Sequence, residues 1–219
     1  MTSVPDRVPI TPQLQDSGVV AILRGSTDRH LEAVSRTLGE AGVTCLELTL
    51  TTPGAVEALA RVRGELDPGV ALGMGSVVDA DQAAACLEAG AEFLVSPGVC
   101  ADVAVYAAQR GVACYPGAWT PTELLQAWGL GAPAVKLFPA ASGGPRHLKD
   151  VRAPLPHIPL VPTGGVALDQ IAEYLGAGAA AVGLGSPLVG DALDGGSLTA
   201  LRERALAALE AVRTGRDGR

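Results

Sequence analysis

The sequence predicts an α/β fold, a single-domain (β/α)8 TIM barrel, and three observations carry that prediction. Short apolar runs begin near residues 19, 45, 71, 93, 113, 134, 160 and 180. That spacing leaves room for a strand, a helix and two short loops in each unit. Between the runs lie amphipathic segments with helix start signals, and alternating strands and helices imply a parallel sheet covered by helices. Eight such units follow one another through 219 residues without a break in composition. This suits a closed barrel better than an open doubly wound sheet. Leucine-rich solenoid repeats, the other periodic choice, need fixed leucine and asparagine positions that are missing.

Taken in order, residues 1–18 form an N-terminal segment in which residues 11–17 are expected as a short helix across the barrel bottom, and the barrel occupies residues 19–213. Asp28 is expected to open the helix over residues 29–41, Thr52-Pro53 the one over 54–66, and Asp79 the one over 80–89. Thr120-Pro121-Thr122-Glu123 combines an N-cap, a proline at the first helical position and an acid at the third, the outline of a capping box. Glycines 42, 90, 111, 131 and 178 fall where helices should stop. The last helix is expected over about residues 197–212, with residues 214–219 as a disordered tail.

Composition narrows the function classes. A net charge of −7 argues against nucleic acid as the main partner, while still allowing a small anion to be held locally. Residues 1–18 lack the apolar core of a signal peptide, and the longest uncharged stretch, 174–190, is broken by glycines and a proline, so no membrane partner is expected. Cys45, Cys86, Cys100 and Cys114 have no metal-ligand spacing, and His30, His147 and His157 are scattered. No metal is expected, and the cysteines read as free thiols in a reducing cytoplasm.

The chemistry is expected at the C-terminal ends of the strands, where such barrels carry their reacting groups. Those ends hold one lysine, one acid and one arginine among glycines and hydroxyls. The lysine is the informative one. The chain has only two lysines against fourteen arginines, and Lys136 lies within Ala134-Val135-Lys136-Leu137-Phe138-Pro139, which otherwise reads as a buried strand. An amine, unlike a guanidinium, can lose its proton and attack a carbonyl carbon, and burial disfavours the charged form of an amine. Taken by itself, the residue fits a structural ion pair equally well.

Glu47 lies in Cys45-Leu46-Glu47-Leu48-Thr49-Leu50, where period-two alternation sends the leucines towards the helices and Cys45, Glu47 and Thr49 into the barrel. A buried glutamate needs a partner, and Lys136 is the candidate, either as a packing pair or with Glu47 shuttling protons directly or through a water. We favour the second, since a strand-borne acid and amine at one end of a barrel seldom serve packing alone.

Pro162-Thr163-Gly164-Gly165 and Gly183-Leu184-Gly185-Ser186 follow the seventh and eighth runs. Glycines there let backbone amides approach an anion, which points to a phosphate site. Arg24 fits a bidentate grip on a substrate carboxylate and equally a rim ion pair. Ser76 is a candidate donor to the same carboxylate, and Phe138 shares the pleat parity of Lys136 and would wall it. Trp119 and Trp128 read as packing or subunit-interface residues.

With these motifs in place, the chain resembles the 2-dehydro-3-deoxy-phosphogluconate aldolase / 4-hydroxy-2-oxoglutarate aldolase family, a class I group. The resemblance runs from about residue 19 to 212. It rests on Val20-Ala21-Ile22-Leu23-Arg24, Leu46-Glu47-Leu48-Thr49-Leu50-Thr51, Gly73-Met74-Gly75-Ser76-Val77, Ser96-Pro97-Gly98, Pro116-Gly117-Ala118-Trp119-Thr120-Pro121-Thr122-Glu123, Lys136-Leu137-Phe138-Pro139 and Pro162-Thr163-Gly164-Gly165-Val166. It implies a metal-free barrel, usually a homotrimer, that needs no cofactor beyond a covalent imine between lysine and a 2-oxo acid phosphate. Carried over by motif, Lys136 is the Schiff-base lysine and Glu47 the proton-transfer residue. Thr163, Gly164, Gly165, Gly185 and Ser186 border the phosphate end. Arg24 and Ser76 fall at the carboxylate end, Thr51 and Pro97 are further substrate-binding candidates, and Phe138 stands beside the lysine.

Two departures stand out. Some members carry an arginine where this chain has Thr51; others have threonine there and the Leu-Arg pair of the first strand, as here, so the carboxylate duty passes to Arg24. Ser76 replaces the usual threonine and keeps the hydroxyl. A sibling family acting on the 6-phosphogalactonate epimer usually lacks the threonine before the glycine pair, so Thr163 points to the gluconate-type reaction. The resemblance thus implies retro-aldol cleavage of 2-dehydro-3-deoxy-6-phospho-D-gluconate to pyruvate and D-glyceraldehyde 3-phosphate. The galactonate epimer or 4-hydroxy-2-oxoglutarate are alternative substrates. Phosphosugar isomerisation or epimerisation on the same scaffold, and non-catalytic phosphosugar binding, are the rival classes.

Overall fold

Strand alternation decides which side chains fill the barrel and which face the helices. A computed structural model describes residues 7–218. Its strands are β1 (Val19–Leu23), β2 (Cys45–Thr49), β3 (Ala71–Gly75), β4 (Phe93–Val95), β5 (Ala113–Tyr115), β6 (Gly117–Ala118), β7 (Val135–Leu137), β8 (Leu160–Pro162) and β9 (Val182–Leu184). All pair in parallel, in the orders β5-β4-β3-β2-β1-β9 and β6-β7-β8. Together they trace the eight-stranded barrel. The run expected from residue 113 is one barrel strand in two pieces, because Pro116 between them has no N–H for a ladder. β5 pairs with β4, and β6 with β7. The seam between β8 and β9 closes through a Thr163–Gly183 bridge and an Ala180 N–H to Leu160 carbonyl bond of 2.8 Å.

Two buried layers result. Leu23, Leu46, Leu48 and Leu184 face outwards into the larger core with the helices, while Val20, Cys45, Phe93, Tyr115 and Val161 fill the barrel interior. The short helix α1 (Pro12–Ser17) adds Leu14 to that interior, held by Thr11, whose N–H donates to the Tyr115 hydroxyl at 2.9 Å.

The outer layer is α2 (Leu31–Glu40), α3 (Ala55–Glu65), α4 (Ala80–Glu88), α5 (Ala101–Ala108), α6 (Pro121–Gly129), α7 (Gly144–Arg152), α8 (Ile171–Gly176) and α10 (Leu198–Asp217), with a one-turn α9 (Ser186–Val189) between the last two. Two start signals act as the sequence suggests: Asp79 accepts the Gln82 amide at 2.8 Å, and Thr120 with Glu123 forms a complete capping box. A cap of this kind is worth ~1 kcal/mol. Two others do not. Asp28 caps nothing and instead pairs with Arg61 at 2.7 Å, and α2 begins at Leu31. Thr52 turns away from α3, which starts after Gly54 without a side-chain cap. The last helix also outruns its expected end. It continues to Asp217 with Gly215 buried against Ala172 and Leu175, so most of the segment expected as a tail is helical.

Candidate active site

β7 carries Lys136 at its centre, in register with Gly117 of β6 and Val161 of β8. The strand's outward residues, Val135 and Leu137, pack under the helices, so Lys136 is forced inwards and is only 8% exposed. Glu47, on β2 between outward Leu46 and Leu48, points into the same interior and is 2% exposed. Its neighbours on β3 make this feasible. Gly73 leaves space for the Phe93 ring, and a Cβ on Gly75 would overlap the Glu47 carboxylate.

Burial pushes the Glu47 carboxyl pKa upwards, and attraction to Lys136 and then Arg24 only partly offsets it. Glu47 and Lys136 do not form the direct ion pair that the packing alternative required. The two groups act on each other across a gap. Both line a small interior cavity with Tyr115 and Thr163, where about 20 Å³ is open to the centre of a water molecule, room for one.

Above the lysine the barrel opens into a mouth of about 280 Å³, small for a ligand pocket. Phe138 walls it, with Lys136 Nζ 4.9 Å from its ring centroid and Gly164 against the ring. Gly164 and Gly165 adopt left-handed φ values of 90° and 78°, conformations that favour glycine. The amides of Gly165 and Ser186 have no protein acceptor among the described residues, and both residues border the same mouth with Gly164. Such amides suit an oxyanion.

Arg24 reaches the mouth from the end of β1. It makes no ion pair among the described residues, and its side-chain hydrogen bond is to Ser76 Oγ at 3.5 Å. Ser76 has φ of 64°, unusual for a residue with a side chain. A slightly larger cavity of about 330 Å³ opens at the opposite end, beneath α1. Its one charged group among the described residues is Arg216, which binds the backbone carbonyls of Asp16 and Gln15. Among the described residues no group of three or more His, Cys, Asp or Glu is placed to hold a metal ion, and no helix is long and apolar enough to cross a membrane.

The family model for KDPG and KHG aldolases matches residues 10–202. The chain belongs to this aldolase family. A probable 2-dehydro-3-deoxy-6-phosphogalactonate aldolase of Rhizobium meliloti is 34% identical over 94% of this chain and 95% of its own length. The 2-dehydro-3-deoxy-phosphogluconate aldolase of Pseudomonas aeruginosa is also 34% identical, over 74% of this chain and 73% of its own. Among solved structures, the KDPG aldolase of Legionella pneumophila with pyruvate captured as a covalent carbinolamine superposes with a TM-score of 0.81. It is 28% identical and covers 91% of this chain and 98% of its own. The aldolase is therefore a lyase with the TIM-barrel architecture of its relatives.

Within this aldolase, Lys136, Arg24, Phe138, Thr163, Gly164, Gly165, Gly185 and Ser186 meet around the mouth, with Glu47 just below. Ser76 joins them only through Arg24, and Thr51 and Pro97 are exposed outside the mouth cavity. Sequence reasoning missed Ile22 and Asp194, which line the mouth. Ile22 was within reach, since it shares the inward parity of Val20 and Arg24. Asp194 sits in a 3-10 turn after α9, where no periodic pattern marks direction; Ser26 Oγ donates to it at 3.2 Å.

Proposed function

We propose that this aldolase cleaves 2-dehydro-3-deoxy-6-phospho-D-gluconate to pyruvate and D-glyceraldehyde 3-phosphate through an imine on Lys136. The neutral amine attacks the C2 carbonyl, and the carbinolamine loses water to an iminium. Glu47 takes the C4 hydroxyl proton. The C3–C4 bonding electrons move to the iminium, leaving an enamine and releasing the aldehyde. The protonated Glu47 then returns a proton to C3, and water hydrolyses the imine to pyruvate. A carboxyl whose affinity for protons is raised by burial suits both halves of this shuttle. Arg24 holds the substrate carboxylate, and the Gly165 and Ser186 amides receive the phosphate.

The observation that carries this reading is the burial of one acid and one amine around a single water-sized space just below the barrel mouth. The covalent carbinolamine of the Legionella relative supports it. Thr163 favours the gluconate epimer over its sibling. One feature favours a second substrate on the same lysine, unphosphorylated 4-hydroxy-2-oxoglutarate: Asp194 adds negative charge to the mouth. The working assembly is inferred to be a homotrimer from the resemblance, which sedimentation equilibrium tests.

Borohydride reduction with pyruvate tests the central step. A reduced pyruvyl adduct mapped to Lys136, and lost in Lys136→Arg, is the expected result. Binding without an adduct would leave an isomerase or a non-catalytic phosphosugar binder.

A further inference from the structure

Thr52 lies 1% exposed in the turn after β2 and is not used as a helix cap. Its Oγ1 instead accepts the N–H of Gly25, the residue after Arg24, at 3.0 Å. Thr49, fully buried, donates to the carbonyl of Leu23, the residue before Arg24, at 3.4 Å. The two hydroxyls lie 3.2 Å apart, and Thr51 donates to Thr49 at 3.1 Å.

One assignment of protons satisfies the whole set. Thr52 accepts from Gly25 and donates to Thr49; Thr49 accepts from Thr51 and Thr52 and donates to Leu23. The backbone on both sides of Arg24 is thereby tied to β2. The side chain of Arg24 forms no ion pair among the described residues and makes one long hydrogen bond, to Ser76, while Glu47 attracts it from a distance. The backbone that carries it therefore contributes to its direction.

We propose that Thr52, together with Thr49, is a positioning residue that aims the Arg24 guanidinium at the substrate carboxylate. The inference rests on the carboxylate role given to Arg24 above. Thr52→Val keeps the side-chain shape, removes the acceptor for Gly25 N–H and frees one flank of Arg24. Loss of a charge-assisted contact corresponds to about 10- to 100-fold in binding, so a misaimed arginine forfeits part of that.

Steady-state kinetics on wild type, Arg24→Ala, Thr52→Val, Thr52→Ser and the Arg24→Ala/Thr52→Val double variant test this. Arg24→Ala should raise KM about 10- to 100-fold. Thr52→Val should raise KM by a smaller factor with kcat nearly unchanged, and Thr52→Ser should restore it. The double variant should be no worse than Arg24→Ala alone. Should Thr52→Val not fold, Thr49→Val frees the other flank and carries the same expectation. A raised KM in Arg24→Ala but not in the threonine variants overturns the clamp alone. So does a threonine effect that persists undiminished without Arg24. An unchanged KM in Arg24→Ala overturns the carboxylate role and the clamp with it.

Discussion

The carboxylate of Glu47 occupies the space that any side chain at Gly75 would need. Gly75 is paired in register with Thr49 on the neighbouring strand, and Glu47 with Gly73, one pair back along the same ladder face. Gly75→Ala should push Glu47 away from the gap it shares with Lys136. A displacement near 1 Å at a reacting group costs on the order of 100-fold, so kcat should fall by about that much while pyruvate still traps on Lys136. Single-turnover kinetics beside borohydride labelling would show this, and a normal kcat would mean that the position of Glu47 does not matter.

Glu47→Gln should retain the imine and turn over more slowly by ~10²–10⁴. It should also change how stability responds to pH. Burial raises the Glu47 pKa in the folded state, so the fold binds that proton more tightly than the unfolded chain does. This contribution is fully present below the ordinary carboxylate pKa of about 4.3 and is lost as pH rises through the raised folded value. Gln pays no ionisation penalty. The variant should therefore gain Tm relative to wild type at neutral pH, and the gain should shrink towards pH 4. Thermal unfolding across that range reads the sign directly.

The mouth makes a prediction about substrates. Asp194 shares the mouth with Ser186 and the glycine pair, with its carboxylate exposed. Asp194→Asn should lower KM for the phosphorylated 2-oxo acid by about two- to five-fold, the range of an exposed charge interaction. It should leave 4-hydroxy-2-oxoglutarate nearly unaffected. Ser186→Asp should act the other way and more strongly, by at least about tenfold for the phosphorylated substrate. Equal effects on both substrates in both variants would remove the phosphate assignment.

Much of this molecule was legible in the chain itself. The parity of Cys45, Glu47 and Thr49 against Leu46 and Leu48 is a local rule of extended backbone, and it held because one face of β2 must meet the helices. Recurring apolar runs reported the barrel for the same reason, and the isolated lysine in one of them lines the mouth cavity. Side-chain hydrogen bonds were less legible. Asp28 and Thr52 have the residue types and positions of helix caps, yet Arg61 claimed one and the Gly25 amide the other. Both partners are distant in sequence, and local pattern cannot rank them.

Pattern by itself thus determined the barrel, its inward and outward faces, and the acid and amine inside it, since each follows from periodicity along one strand. Only folding in three dimensions decided that Glu47 and Lys136 stand apart around a water-sized space. The same holds for the volume that Gly75 leaves to Glu47, and for the placement of Asp194 beside Ser186. Those relations depend on distances between strands and loops that no single segment encodes.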